Sequence, residues 1–179
     1  TEGGVTAYFG NNMDKKDLSL VREFLLKNDI SPLNTRAFKT NATNYVITVG
    51  SIDTNKSKAG IHFKDKTFSL EYGEFSEYLK EVNHWLSKAL PFVANEHEKT
   101  MIDFYMKHFR SGDIKDHKDS QRAWIKDKGP VIESNLGWIE HYQDPDNQRA
   151  IFQGWVAMVD KERSKKFAHL VAQSNSIIP

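Results

Sequence analysis

Lys128-Gly129-Pro130-Val131-Ile132-Glu133-Ser134-Asn135-Leu136-Gly137-Trp138-Ile139-Glu140-His141-Tyr142 is the stretch on which the reading of this chain turns. Lys-Gly-Pro is turn chemistry, and the β-branched, apolar and aromatic run over 131–142 predicts a strand directly after it. Side chains alternate across a strand, so Glu133, Asn135 and Gly137 share one face. Ile132, Ser134, Leu136 and Trp138 share the other, which is mostly apolar and is expected to be the buried one. The first face sets a carboxylate, a carboxamide and a bare backbone in a row. A carboxylate pairs with an ammonium, an amide bonds a peptide group, and a glycine lets another backbone come close. On the residues alone this row could be a platform for an extended peptide, but the pattern favours an ordinary solvent-facing strand.

Downstream, Asp144-Pro145-Asp146-Asn147 predicts a turn and 151–159 a second strand, so the two strands are expected to form a hairpin. Asp160 then caps a last helix whose Phe167, Leu170 and Val171 face inward. Upstream, 116–127 reads as a short helix, and 96–109 as a longer one with Met101, Phe104, Tyr105 and His108 on one side. A helix over 75–95 has Tyr78, Val82, Trp85, Leu86 and Leu90 as its inner face, and Pro91 kinks or divides it. Near the start, Asp14 or Asp17 caps a helix running to Lys27, with Leu18, Val21, Phe24 and Leu25 as its stripe. Residues 45–49 predict a strand, 51–60 a polar loop or hairpin, and 60–70 one or two short strands around Lys64-Asp65-Lys66. The expected order is α, β, β, α, α, α, β, β, α. The fold class is α+β: a small β-barrel or strongly twisted mixed sheet with flanking helices.

The chain has 179 residues and is 39% hydrophobic, enough for one packed domain over 1–179. Its net charge of +1 argues against a nucleic-acid partner, despite basic runs such as Lys161-Glu162-Arg163-Ser164-Lys165-Lys166. No apolar run is long enough to span a membrane. With no cysteine, thiolate nucleophiles and cysteine-ligated metal drop out. Neither a Gly-x-Ser-x-Gly elbow nor a glycine-rich phosphate loop is present. The histidines are His62, His84, His97, His108, His117, His141 and His169. His97-Glu98 begins a zinc-peptidase motif, but Met101 and Ile102 stand where the second histidine would sit, so no metal ligand is assigned. Both ends read as edges of a fragment.

The stretch from Lys126 to Tyr142 closely resembles a signature of the dipeptidyl peptidase III family, peptidase family M49. The likeness continues through Gln143-Asp144-Pro145, Phe152-Gln153-Gly154-Trp155-Val156-Ala157 and Lys165-Lys166-Phe167 with Leu170-Val171. Upstream, Val5-Thr6-Ala7-Tyr8-Phe9, Asn34-Thr35-Arg36-Ala37-Phe38 and His117-Lys118 with Trp124-Ile125 follow in the same order, so the resemblance covers nearly the whole chain. It implies a two-lobed metallopeptidase with a cleft between the lobes. The lower lobe holds a five-stranded barrel, and the upper lobe carries zinc through a His-Glu-x-x-x-His motif and a later glutamate. That motif is absent here, so the chain corresponds to part of the lower lobe. By this resemblance zinc belongs to the full-length enzyme. No catalytic residue or cofactor is expected in this stretch, which alone is expected to be inactive.

The resemblance further implies that Glu133 binds the free amino terminus of a peptide. Asn135 stands where the family often has a tyrosine that holds substrate near the scissile bond. Glu140 is in the opposite strand phase and is not assigned to that face. The implied partners are short peptides and the missing upper lobe, with no nucleic acid and no membrane, in the cytoplasm. The alternative is a non-catalytic peptide-binding or protein-interaction module.

Overall fold

The computed structural model describes residues 5–178. Helix α1 (Lys15–Lys27) begins on a capping box. The Asp14 carboxylate accepts from the backbone N–H groups of Lys16 and Asp17 at 2.8 and 2.9 Å, and the Asp17 carboxylate accepts from Asp14 N–H at 3.0 Å. Two otherwise orphaned donors of the first turn are thereby satisfied. The stripe read from the sequence, Leu18, Val21, Phe24 and Leu25, is buried.

It packs on a four-stranded sheet of order β1-β2-β4-β3, formed by β1 (Thr35–Lys39), β2 (Asn44–Gly50), β3 (Lys58–Phe63) and β4 (Lys66–Glu74). β2 and β4 run parallel; the outer pairs are antiparallel. Phe24 of α1 stacks on Phe68 of β4 at 4.0 Å, and Tyr45 of β2 stacks on Phe68 at 5.0 Å. β1, which the sequence does not announce, forms because Thr35 to Lys39 pair in register with Val49 to Tyr45. Its own pattern, Thr-Arg-Ala-Phe-Lys, is too short and polar to stand out.

A second layer follows: α2 (Ser76–Ala89), a 3-10 turn over Leu90–Phe92, α3 (Glu96–Ser111), α4 (Ile114–Trp124), β5 (Ile132–Glu140), β6 (Ile151–Met158), α5 (Lys161–Ala172) and α6 (Ser174–Ile177). Pro91 does divide the helix expected over 75–95, because it cannot supply the N–H that a continuing helix needs. β5 and β6 pair as an antiparallel hairpin apart from the larger sheet. Their connection is built on buried Asp144, whose carboxylate accepts from the N–H groups of Asp146, Gln148 and Arg149 at 3.0, 3.0 and 2.8 Å. Fully buried Arg149 lies 3.6 Å from Asp144 and 3.3 Å from Asp146, and Arg22 of α1 reaches Asp146 at 3.4 Å. The core of this layer is Leu79, Met101, Ile102, Tyr105, Phe109, Ala123, Trp138 and Ala150.

Besides the Arg22–Asp146 ion pair, further contacts join the layers. Trp138 packs against Gly50, where an added Cβ would sit 2.5 Å from the indole Cζ2. The buried Asn34 amide donates to the carbonyls of Gly50 at 3.2 Å and Gly112 at 2.9 Å.

The chain is thus a mixed α+β fold with a mixed sheet and flanking helices, the second of the two architectures expected, and the described strands do not close into one barrel. Two burial expectations need correction. On α2 the buried position is Leu79, with Val82, Leu86 and Leu90 beside it, while Tyr78 and Trp85 point outward. The helix is rotated so that its narrow aliphatic stripe faces α3. On α5 every residue is exposed, including Phe167, Leu170 and Val171, because no described element covers that face. Among the described residues no helix is long and apolar enough to cross a membrane.

Candidate functional site

Helices α3 and α4 and strand β5 converge on the polar row read from the sequence. α3 starts on Asn95, whose side chain accepts from His97 and Glu98 N–H at 2.8 and 2.9 Å, and it ends at Gly112 in the left-handed conformation, φ 72°. α4 then starts on Asp113, whose carboxylate accepts from Lys115 N–H at 2.9 Å. The sharp Gly112 corner folds α4 back along α3. Tyr105 of α3 and His117, Gln121 and Trp124 of α4 are thereby brought to one side of β5.

Each member of the row meets one of these side chains. Glu133 is half-buried, and its Oε1 accepts from the indole N–H of Trp124. Asn135 Oδ1 accepts from the Tyr105 hydroxyl at 3.5 Å, and that hydroxyl accepts from Gln121 Nε2 at 3.2 Å. Burial raises the Tyr105 phenol above its usual value, so it stays protonated and donates. Gly137 takes φ 139°, and an added Cβ would stand 3.1 Å from His117 Cε1.

The row is therefore not the open face that strict alternation suggests. Its Gly137 end is closed by His117, whereas its Glu133 and Asn135 positions are half-buried. On the opposite phase Trp138 is buried, Leu136 and Ser134 are half-buried, and Ile132 is exposed. Both faces of the strand are used because α3 and α4 cover one and α2 lines the other beside Leu136. The far edge of β5 has no strand partner among the described residues.

Beneath Gly137 lie two neighbouring histidines, their rings tilted by 53°. The His108 and His117 rings are 5.4 Å apart, and Trp138 presents its edge to His108 at 5.6 Å. Phe152 of β6 lies 5.0 Å from Trp138 and 5.8 Å from Phe109, which fixes the hairpin to α3. His108 Nδ1 donates to the Asp113 carbonyl at 2.9 Å, so Nε2 is the acceptor nitrogen, and it is buried without a partner, as is His117 Nδ1. Burial lowers His108 to about 4 and lowers His117 as well, so both are neutral at physiological pH. Among the described residues no group of three or more His, Cys, Asp or Glu side chains could hold a metal ion.

Sequence reasoning found Glu133, Asn135 and Gly137 but missed their partners Tyr105, Gln121, His117 and Trp124. The likeness at His117-Lys118 and Trp124-Ile125 was the one signal pointing to them. Nothing in their spacing says that side chains nine to thirty residues away reach the strand.

Three kinds of comparison agree on what this chain is similar to. The model of the family described as Peptidase family M49 matches residues 1–179. "Dipeptidyl peptidase 3" of Dictyostelium discoideum is 39% identical over 175 residues, covering 98% of this chain and 25% of that protein. "Dipeptidyl peptidase 3" of Homo sapiens is 35% identical over 189 residues, covering 98% of this chain and 26% of that protein. The solved structure of DPP III from Caldithrix abyssi superposes with a TM-score of 0.60 at 18% identity, over 94% of this chain and 28% of that one. That of dipeptidyl-peptidase III from Corallococcus sp. strain EGB does so with a TM-score of 0.58 at 17% identity, over 93% and 27%. At such identities the superpositions show the fold. The chain spans about a quarter of the length of the curated relatives it matches.

Proposed function

We propose, from the premise that this chain belongs to peptidase family M49, that it is the peptide-positioning part of a zinc-dependent dipeptidyl peptidase. In this reading the full-length enzyme removes dipeptides from the amino terminus of short peptides in the cytoplasm, and residues 1–179 are one domain of its lower lobe. The described residues do not fit a zinc site, and no step given to them passes through the metal.

What this chain's residues do is bind and measure. Glu133 anchors the substrate ammonium. The substrate backbone runs along the unpaired edge of β5, where main-chain hydrogen bonds give affinity without demanding a side-chain sequence. Asn135 stands two residues along the same face, about 7 Å on, which is the reach of two extended residues. With its Oδ1 occupied by the Tyr105 hydroxyl, its Nδ2 is left to donate to a substrate carbonyl. A fixed anchor of this kind lets an enzyme count two residues from the amino terminus. It also places the scissile bond, which is how positioning lowers a barrier.

The observation that carries the reading is Glu133 itself: a half-buried carboxylate with no cation partner among the described residues. In the full-length polypeptide, E133A is expected to lower kcat/KM on a dipeptidyl-naphthylamide roughly ten- to hundredfold, the worth of about 1.5–3 kcal/mol for a hydrogen bond to a charged group. An unchanged kcat/KM in a folded variant overturns the assignment. The exposed apolar side chains of β6 and α5 favour a second reading, a non-catalytic interaction module. It predicts peptide binding by the full-length polypeptide without dipeptide release.

A further inference from the structure

The polar row of β5 has three stations, and only two of them carry a side chain of their own. At the third, Gly137 has none, and the ring of His117 stands in its place, with Cε1 and Nδ1 at 3.1 and 3.2 Å from where a Cβ would be. An imidazole from α4 thus occupies the face that Glu133 and Asn135 share. The spacing of the three is regular. Glu133 through Gly137 pair residue for residue with Ala157 through Gln153, and the register shifts only beyond Trp138.

The two ring nitrogens differ in surroundings. His117 is half-buried; its Nδ1 is enclosed and has no hydrogen-bond partner, whereas its Nε2 is not enclosed. No bond joins it to His108, whose Nε2 is likewise enclosed and unpartnered. A buried N–H with no acceptor is costlier than one that water can reach. The neutral ring therefore carries its proton on Nε2 and offers one uncharged donor beside the row. Burial lowers the His117 pKa, so the donor stays neutral at physiological pH. Tyr105 and His108 flank the ring at 6.2 and 5.4 Å and hold it by packing.

We propose that His117 is a substrate-binding residue that donates from Nε2 to the carbonyl oxygen of the fourth residue of the peptide. This rests on the reading of Glu133 as the ammonium anchor, which sets the register. Four strand residues separate Glu133 from Gly137, about 13 Å, and that is the reach from an ammonium to the fourth carbonyl of an extended chain. The contact lies beyond the bond that releases a dipeptide. It therefore favours substrates of four or more residues over shorter ones, and it does so without reading a side chain.

The test uses the full-length polypeptide and two substrates, a tetrapeptide amide and a dipeptidyl-naphthylamide, which has no fourth carbonyl. H117L is expected to lower the ratio of kcat/KM for the tetrapeptide amide to that for the naphthylamide about three- to tenfold, the range expected for one hydrogen bond. H117Q, which returns an N–H at the level of Nε2, is expected to restore most of that ratio. A merely structural role would lower both values together, so an unchanged ratio in H117L overturns the proposal and leaves Glu133 as the anchor. E133A without effect on either substrate overturns the anchor and the register counted from it. Should H117L not fold, 15N-histidine-labelled wild type decides the matter. One Nε2 signal is expected to move on binding a tetrapeptide amide whose second peptide bond is reduced to CH2–NH, and to stay in place with a free dipeptide. If no signal moves, or the dipeptide moves it as far, the role is overturned.

Discussion

At the scale of single residues, the side of β5 that meets α3 and α4 sets what can be changed. His108 is buried and His117 half-buried, both are neutral with their rings 5.4 Å apart, and burial holds His108 at about 4 against an ordinary value of 6.5. Between those values the unfolded chain binds a proton that the folded chain refuses, so folding is favoured above pH 6.5 and weakens as pH falls toward 4. The full effect of His108 alone is about 3 kcal/mol. A thermal unfolding midpoint that drops from pH 7 to pH 4.5 is expected in wild type. H108N keeps a donor for the Asp113 carbonyl and is expected to flatten that drop; an unchanged pH dependence would show that other groups carry it. Gly137 makes a sharper case, because it combines a φ of 139° with a His117 ring 3.1 Å from any added Cβ. G137A is expected to cost about 1–3 kcal/mol, seen as a lowered unfolding midpoint.

At the scale of elements, stability depends on how helices start and how sheets touch. D14A removes both hydrogen bonds that the Asp14 carboxylate accepts at the start of α1. It is expected to cost about 1 kcal/mol by chemical denaturation, with D14N or D14S keeping most of it. Gly50 does not need a positive φ, so its role is clearance: the Trp138 ring occupies the space of a side chain. G50A is expected to destabilise by about 1–3 kcal/mol through overpacking. A Trp138→Phe change in the same molecule should recover part of that loss, which a purely local strand effect would not allow. The Asp144-centred turn shows the same logic in a loop. One buried carboxylate gathers three backbone N–H groups and so sets the register with which β6 returns along β5.

At the scale of the whole molecule, β6 and α5 keep apolar side chains uncovered. Trp155, Val156 and Met158 of β6 and Phe167, Leu170 and Val171 of α5 are all exposed, with Met158 at 80%. Exposed apolar side chains in this number drive association. The isolated 179-residue chain is expected to sediment with concentration-dependent mass, and F167E with V156K to return it to monomer; a monomeric wild type at all concentrations would sink that expectation. The sequence by itself determined much of this protein. The α1 stripe, the α5 cap at Asp160, the division at Pro91 and the β5–β6 hairpin follow from local period and turn chemistry, and the polar row of Glu133, Asn135 and Gly137 follows from strand alternation. What it left open are matters of distance. Whether a stripe meets a partner depends on elements far away in the chain, which is why Tyr78, Trp85 and Phe167 lie outside. β1 exists because β2 offers it a ladder. Trp124, Tyr105 and His117 reach the row because Gly112 turns α4 back on α3, a juxtaposition that no spacing encodes, since it is set by packing across the fold rather than along the chain.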